Sequence, residues 1–204
     1  MLELLTGTGL AAAAGLNAYI PLLVLGLGSR FLDFIQLPSG WAWLSNEWVL
    51  VILGVLLVLE IVADKIPIVD NINDWVQTVI RPVAGGIVFG GGSSTETAFV
   101  TNPDEFFSSN QWVPIVVGIV IALVIHLVKS AARPVINTVT AGFGGAAVST
   151  AEDAGSVGLS LSAILLPILV IVMLALVIWG FVAIFRRLEE AAKPKRKPAD
   201  SAPA

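Results

Sequence analysis

Three apolar runs, Thr8 to Gly28, Trp48 to Ile66 and Val157 to Phe185, leave this chain very few folds to choose from. About 20 residues of helix at about 1.5 Å each cross a hydrocarbon core of about 30 Å, so runs of this kind read as spanning helices. A fourth run, Trp112 to Lys129, is interrupted only by His126. No water reaches the middle of a bilayer, so each backbone N–H and C=O there must be paired within a helix or a closed barrel. Continuous runs fit only helices. A hydrophobic fraction of 56% and a mean hydropathy of +0.91 exclude an ordinary soluble domain. The fold class is therefore all-α, a polytopic helical membrane protein.

An internal repeat organises the middle of the chain. Trp48-Val49, Gly54 and Lys65 have the same spacing as Trp112-Val113, Gly118 and Lys129. An Arg-Pro pair follows each run, Arg81-Pro82 and Arg133-Pro134, and then a glycine-rich apolar stretch. The copies cover about residues 48–92 and 112–149. Paired apolar segments interrupted by Gly and Pro are how many transporters build the site they enclose. The small-residue stretch Gly7 to Gly15 joins these two, and small residues let helices approach closely in lipid. These segments are expected at the centre, with the Leu-, Val- and Ile-rich helices outside.

Charge orients the chain. Residues 1–186 form the helical transmembrane domain, and residues 187–204 form a basic, disordered tail carrying Arg187, Lys193, Lys195, Arg196 and Lys197. Basic residues collect on the cytoplasmic side of membrane proteins. If the two short glycine-broken segments cross as well as the four full spans, all Lys and Arg except Arg30 fall on that side. The expectation is about six crossings with both termini cytoplasmic. Four spans plus two re-entrant segments is the competing topology.

Several polar residues stand where such a fold makes them conspicuous. Glu60 and Asp64 are one turn apart on a spanning helix, and acids at membrane depth mark ion or proton paths unless they anchor at the interface. His126, the only histidine, can relay protons because it titrates near neutral pH. Its bland alternative is a hydrogen bond between packed helices. Lys129, Arg81 and Arg133 would line a basic inner vestibule. Asn17 and Asn137 either bridge helices or meet a solute. Glu152 and Asp153 read as a helix-start acidic pair or as a cation attractor. Asp70 and Asp74, with Asn71 and Asn73, offer oxygens for a hard cation, but the spacing lacks the turn glycine and distal acid of a calcium loop. With no cysteine, no phosphate loop and no catalytic triad, the sequence offers no catalytic residue, metal centre or cofactor. The basic tail has no interleaved aromatics, so it suits anionic lipid and not nucleic acid.

Gly15-Leu16-Asn17-Ala18-Tyr19-Ile20-Pro21, Asp64-Lys65-Ile66-Pro67 with Asp70, Asp74 and Arg81-Pro82, then His126-Leu127-Val128-Lys129 with Arg133, Asn137 and Glu152-Asp153 line up along the chain. Together they resemble a bacterial family of small integral membrane proteins, domain of unknown function 4126. The likeness runs from about Gly7 to Trp179. It implies a bacterial inner-membrane location and brings no known activity. The leading expectation is a non-enzymatic transporter or channel for a small solute or ion. The alternative is a scaffold or accessory subunit of a larger complex. A chain this short also suggests a homo-oligomer.

Overall fold

Two prolines set the path of the chain by turning apparent single spans into hairpins. The computed structural model describes residues 2–93, 110–140 and 143–192. Among these the regular elements are all helical: α1 (Leu2–Leu16), α2 (Tyr19–Phe31), a 3-10 helix (Ser39–Ser45), α3 (Glu47–Ala63), α4 (Pro67–Gly92), α5 (Trp112–Val139), α6 (Phe143–Leu165) and α7 (Leu169–Ala192).

The run Thr8 to Gly28 is not one helix. Pro21 has no N–H to donate to the Asn17 carbonyl, and its ring collides with that carbonyl in a continuous helix. The chain breaks at Asn17 and Ala18. Asn17 Oδ1 then accepts from the N–H of Tyr19 at 3.0 Å and of Ile20 at 3.2 Å, which caps α2. The two arms run back along α4: Gly92 lies against Leu10 and Thr6 of α1, and Gly91 against Leu25 of α2. Leu2 and Phe34 therefore meet at one end of the bundle, beside Gly91 and Gly92. We call this the Trp41 end, since Trp41 packs over Gly90 there.

Val157 to Phe185 breaks in the same way at Pro167. Turn bonds from the N–H of Leu169 to the Leu166 carbonyl (2.8 Å) and of Val170 to the Pro167 carbonyl (3.1 Å) reverse the chain. Met173 of α7 comes back over Gly158 of α6, and Phe181 reaches the level of Leu16 and Glu152. Leu2 and Ala192 thus lie at opposite ends of the bundle.

The first glycine-rich stretch is not a break: Gly85, Gly86 and Gly90 to Gly92 lie within α4, which continues through Pro82. The second falls where α5, which continues through Pro134, ends at Val139 and α6 begins at Phe143. The two repeat copies fold differently: Lys65 sits in the turn after α3, whereas Lys129 lies inside α5. Gly54 has nothing within 4 Å of where a Cβ would stand, while its counterpart Gly118 is pressed on α4. There a Cβ on Gly85 would lie 2.6 Å from the Gly118 carbonyl oxygen, so only glycine permits this helix crossing.

Small residues do sit at the centre. Ala11, Ala12, Ala13 and Ala14 of α1 are fully buried, enclosed by α4, α5 and α6. Large apolar side chains face out instead: Trp48, Trp75 and Trp179 are 74%, 83% and 69% exposed. Among the described residues, Trp112–Pro134 is long and apolar enough to cross a membrane, with a mean hydropathy of 2.4. A second span is added if the 3-10 helix and α3, which meet at 64°, count as one. Only 28% of the most apolar 18-residue stretch of Trp112–Pro134 is buried, whereas the core helix of a soluble domain is mostly buried.

The repeat-related glycines give a direct test of this packing. Gly118→Ala should lower the thermal unfolding midpoint, since overpacking costs about 1–3 kcal/mol. Gly54→Ala should leave it unchanged or raise it, because alanine is the better helix former. Thermal unfolding of the purified variants compares the two.

Candidate functional site

Beyond the α1–α2 break, at the level of Asn17, four helices bring polar residues together. On α3, Glu60 is followed one turn later by Asp64 in the turn before α4. On α4, Asp74, Gln77, Thr78 and Arg81 recur at three- and four-residue intervals. His126, Lys129, Ser130 and Arg133 do so on α5, as do Ser149, Glu152, Asp153 and Ser156 on α6. Such spacing places each set on one helix face. These faces point inward: Arg81, Lys129, Arg133, Glu60, Asp64 and Glu152 are all buried.

The network has two halves. In the first, Arg81 Nη2 pairs with Glu60 Oε1 at 2.8 Å with both side chains out of contact with solvent. Arg81 Nη1 points to the Gly15 carbonyl and to His126 Nδ1, each at 3.4 Å. The other ring nitrogen, Nε2, lies 3.0 Å from Thr78 Oγ1 and 3.4 Å from Ser130 Oγ. Tyr19 lies beside Gln77 and Glu60.

In the second half, Lys129 Nζ contacts Glu152 at 2.9 Å and Asp64 at 3.8 Å, and donates to the Leu16 carbonyl at 3.2 Å. Arg133 Nη2 reaches Asp64 at 3.2 Å and Glu152 at 3.4 Å. Asp64 also accepts from Asn73 Nδ2 at 2.9 Å and Ser149 Oγ at 3.4 Å. At the rim, Lys65 donates to Ser149 Oγ at 3.0 Å and lies 3.9 Å from Asp153, whose Oδ1 accepts from Asn17 Nδ2 at 3.0 Å. Asp74 approaches Arg133 Nε at 4.0 Å.

Asn17, Glu60, Asp64, Arg81, His126, Lys129, Arg133, Glu152 and Asp153, all singled out in the sequence, therefore meet in one network. Asp74 joins as a rim counter-charge to Arg133. The side chains of Asp70 and Asn137 lie outside the described residues, as does the basic tail from Lys193. Among the described residues no cluster of three or more His, Cys, Asp or Glu is arranged to hold a metal. Arg81 and Arg133 are buried and do not line an open vestibule: Arg81 is held by Glu60 and the Gly15 carbonyl, and Arg133 by Asp64, Glu152 and Asp74. Gln77, Thr78 and Ser149 were missed by sequence reasoning. The signal for them was the helical period of the polar residues through Arg81 and through Glu152.

The Arg-Pro pairs also acquire a physical meaning. Pro82 and Pro134 cannot donate to the carbonyls of Thr78 and Ser130 four residues earlier. Those are the two residues whose hydroxyls meet His126.

What the fold and site define is an all-helical protein with an apolar exterior and a buried ion-pair network at a helix break. The chain belongs to the family described as a domain of unknown function (DUF4126), whose sequence profile matches residues 4–187. No curated protein and no solved structure matches it.

Breaking a buried ion pair leaves an uncompensated charge and costs about 3–5 kcal/mol, whereas well-packed hydrophobic replacements of the whole pair are often neutral or stabilising. Glu60→Ala should therefore lower the unfolding midpoint sharply. Combining Glu60→Leu with Arg81→Met should recover most of that loss. Chemical unfolding of the single and double variants reads the difference.

Proposed function

We propose that this chain is an integral protein of the bacterial inner membrane that moves a small ion, with the buried network as its occluded gate. The observation that carries this reading is the inversion of polarity. Three cations and three carboxylates are buried within the bundle, while α3, α4, α5 and α7 turn large apolar side chains outward. A soluble monomer rarely tolerates so much exposed apolar surface, whereas lipid favours it. Intramembrane charges that face a bundle interior and pair there are characteristic of ion paths.

In this reading α3 to α7 make five antiparallel crossings, and the α1–α2 hairpin enters from the Trp41 end as far as the network. Arg186 and the basic tail put the other end in the cytoplasm by the positive-inside rule, which leaves the N-terminus outside. The C-terminal carbonyls of the half-length helix α1, at Gly15 and Leu16, receive Arg81 and Lys129. Broken helices that end at the midplane and present their termini to charged groups are the usual way transporters build a site.

The scaffold alternative draws support from the pairing of each network cation with a carboxylate within 4.0 Å. It also calls for a broad small-residue face left open to a partner. The alanine face of α1 is instead consumed inside the chain, which favours transport.

Proteoliposomes loaded with pH- or ion-sensitive dyes test this reading for H⁺, Na⁺, K⁺ and Cl⁻. Wild-type vesicles should carry one of these ions well above empty liposomes, and the near-isosteric Glu60→Gln should abolish the flux. No flux above empty liposomes for any ion removes the transport reading, and equal flux in wild type and Glu60→Gln removes the buried network as its gate. The native chain has no cysteine, so topology is open to single-cysteine labelling. Glu3→Cys and Arg186→Cys should react with a membrane-impermeant reagent from opposite sides. Reaction from one side would overturn the odd number of crossings.

A further inference from the structure

The charges of the network do not balance. Arg81 answers Glu60, and at the rim Lys65 answers Asp153. In the second half Lys129 and Arg133 stand against Asp64, Asp74 and Glu152. Two cations there face three carboxylates. A surplus charge away from water is unfavourable unless something compensates it, so this half calls for one more cation. Asp64 is already held by Lys129, Arg133, Asn73 and Ser149. Glu152 gives Oε2 to both of its cations, which leaves Oε1 unspent on them.

Glu152 also lines a groove between α6 and α7. The two helices are pressed together near the Pro167 turn, where a Cβ on Gly158 would stand 2.7 Å from Met173 Cε. Further from the turn they part. A Cβ on Gly155 would meet only Leu16 Cδ1, at 3.4 Å, and one on Gly180 would meet nothing within 4 Å. The gap is a cavity of about 280 Å³ lined by Leu16 of α1, Ala151 and Gly155 of α6, and Val177, Gly180 and Phe181 of α7. Among the described residues of its lining, Glu152 alone carries charge, and it is 7% exposed. Sites for small molecules start at about 300 Å³ and set a few placed polar groups in apolar walls. An acyl chain would fill these walls but offer Glu152 Oε1 no donor, and a polar atom left so in an apolar medium is unfavourable.

We propose that this groove is a lateral site for a lipophilic primary amine, with its apolar body between α6 and α7 and its ammonium head on Glu152. The proposal rests on the membrane location inferred above and not on ion movement, and it assigns a ligand class besides the transported ion. The ammonium supplies both things the site lacks, N–H donors and one positive charge. An alcohol of the same chain brings a donor without the charge. A fatty acid brings a further carboxylate beside Glu152. Affinity should therefore fall from amine to alcohol to acid.

The test uses the full chain in lipid nanodiscs and a decylamine carrying a photoactivatable diazirine, with crosslinks mapped by mass spectrometry. Saturable crosslinks are expected on 151–155 and 173–181. Unlabelled decylamine should compete better than decanol by about 10-fold to 100-fold, the worth of a hydrogen bond to a charged group, and decanoic acid should compete least. Gly180→Leu should abolish the crosslinks: its side chain enters open space, so the fold is kept while the groove is filled. Glu152→Gln should bring decylamine down to the level of decanol. Crosslinks that do not saturate, that fall elsewhere or that survive Gly180→Leu overturn the site. Equal competition by decanol, or stronger competition by decanoic acid, overturns the amine as its ligand. Absence of ion flux in proteoliposomes leaves the site standing. A chain that stays soluble without detergent or nanodiscs removes the membrane location and the lateral site together.

Discussion

A guanidinium or ammonium taken out of water costs several kcal/mol unless opposite charge and acceptors surround it. Arg81 and Lys129 are both withdrawn completely. The helices converge so as to meet that demand. α3 supplies Glu60 and, just beyond its end, Asp64; α6 supplies Glu152; and the end of α1 supplies the Gly15 and Leu16 carbonyls. The C-terminus of a helix carries the negative end of its dipole, so α1 has to stop where the cations are. Pro21 and Asn17 make it stop there. The hairpin and the network are one constraint seen from two sides.

That constraint also explains the composition of α1. Its tip can reach the middle of the bundle only if neighbouring helices close tightly around it, which Ala11 to Ala14 and Gly15 permit. A Cβ on Gly15 would stand 2.8 Å from the Ala122 carbonyl oxygen. Bulkier residues would hold α5 away, and Lys129, two turns further along, would lose its carbonyl. Close packing of small residues and charge satisfaction thus depend on each other. The apolar bulk of α3 and α7, free of either task, faces outward.

Sequence reasoning read the chemistry of this site better than its geometry. The charged residues stood out because they interrupt apolar runs, and nine of the residues it chose for a path do meet. The chain reversals at Asn17 and Pro167 escaped notice because hydropathy averages over a run and does not register direction. A proline inside an apolar stretch was the available signal in both places. Gln77 and Thr78 escaped for a related reason. Taking the glycine-rich stretch as a separate short segment cut α4 near Pro82, and the helical period of Asp74, Gln77, Thr78 and Arg81 was lost. The repeat misled in a third way, since equal spacing put Gly54 on an open surface and Gly118 at a helix crossing.

The two Arg-Pro pairs are where the repeat keeps a common physical role. In each helix the proline removes one N–H opposite the carbonyl of a hydroxyl residue, Thr78 or Ser130, and the arginine before it takes a buried carboxylate. A helix weakened at that turn bends more easily there than elsewhere. The weak turns of α4 and α5 therefore flank His126, and an ion pair is clamped beside each. On the transport reading proposed above, these turns are where the gate would move, because the clamps must open without the whole bundle unfolding, and a hinge beside each clamp confines the movement to the residues that exchange partners.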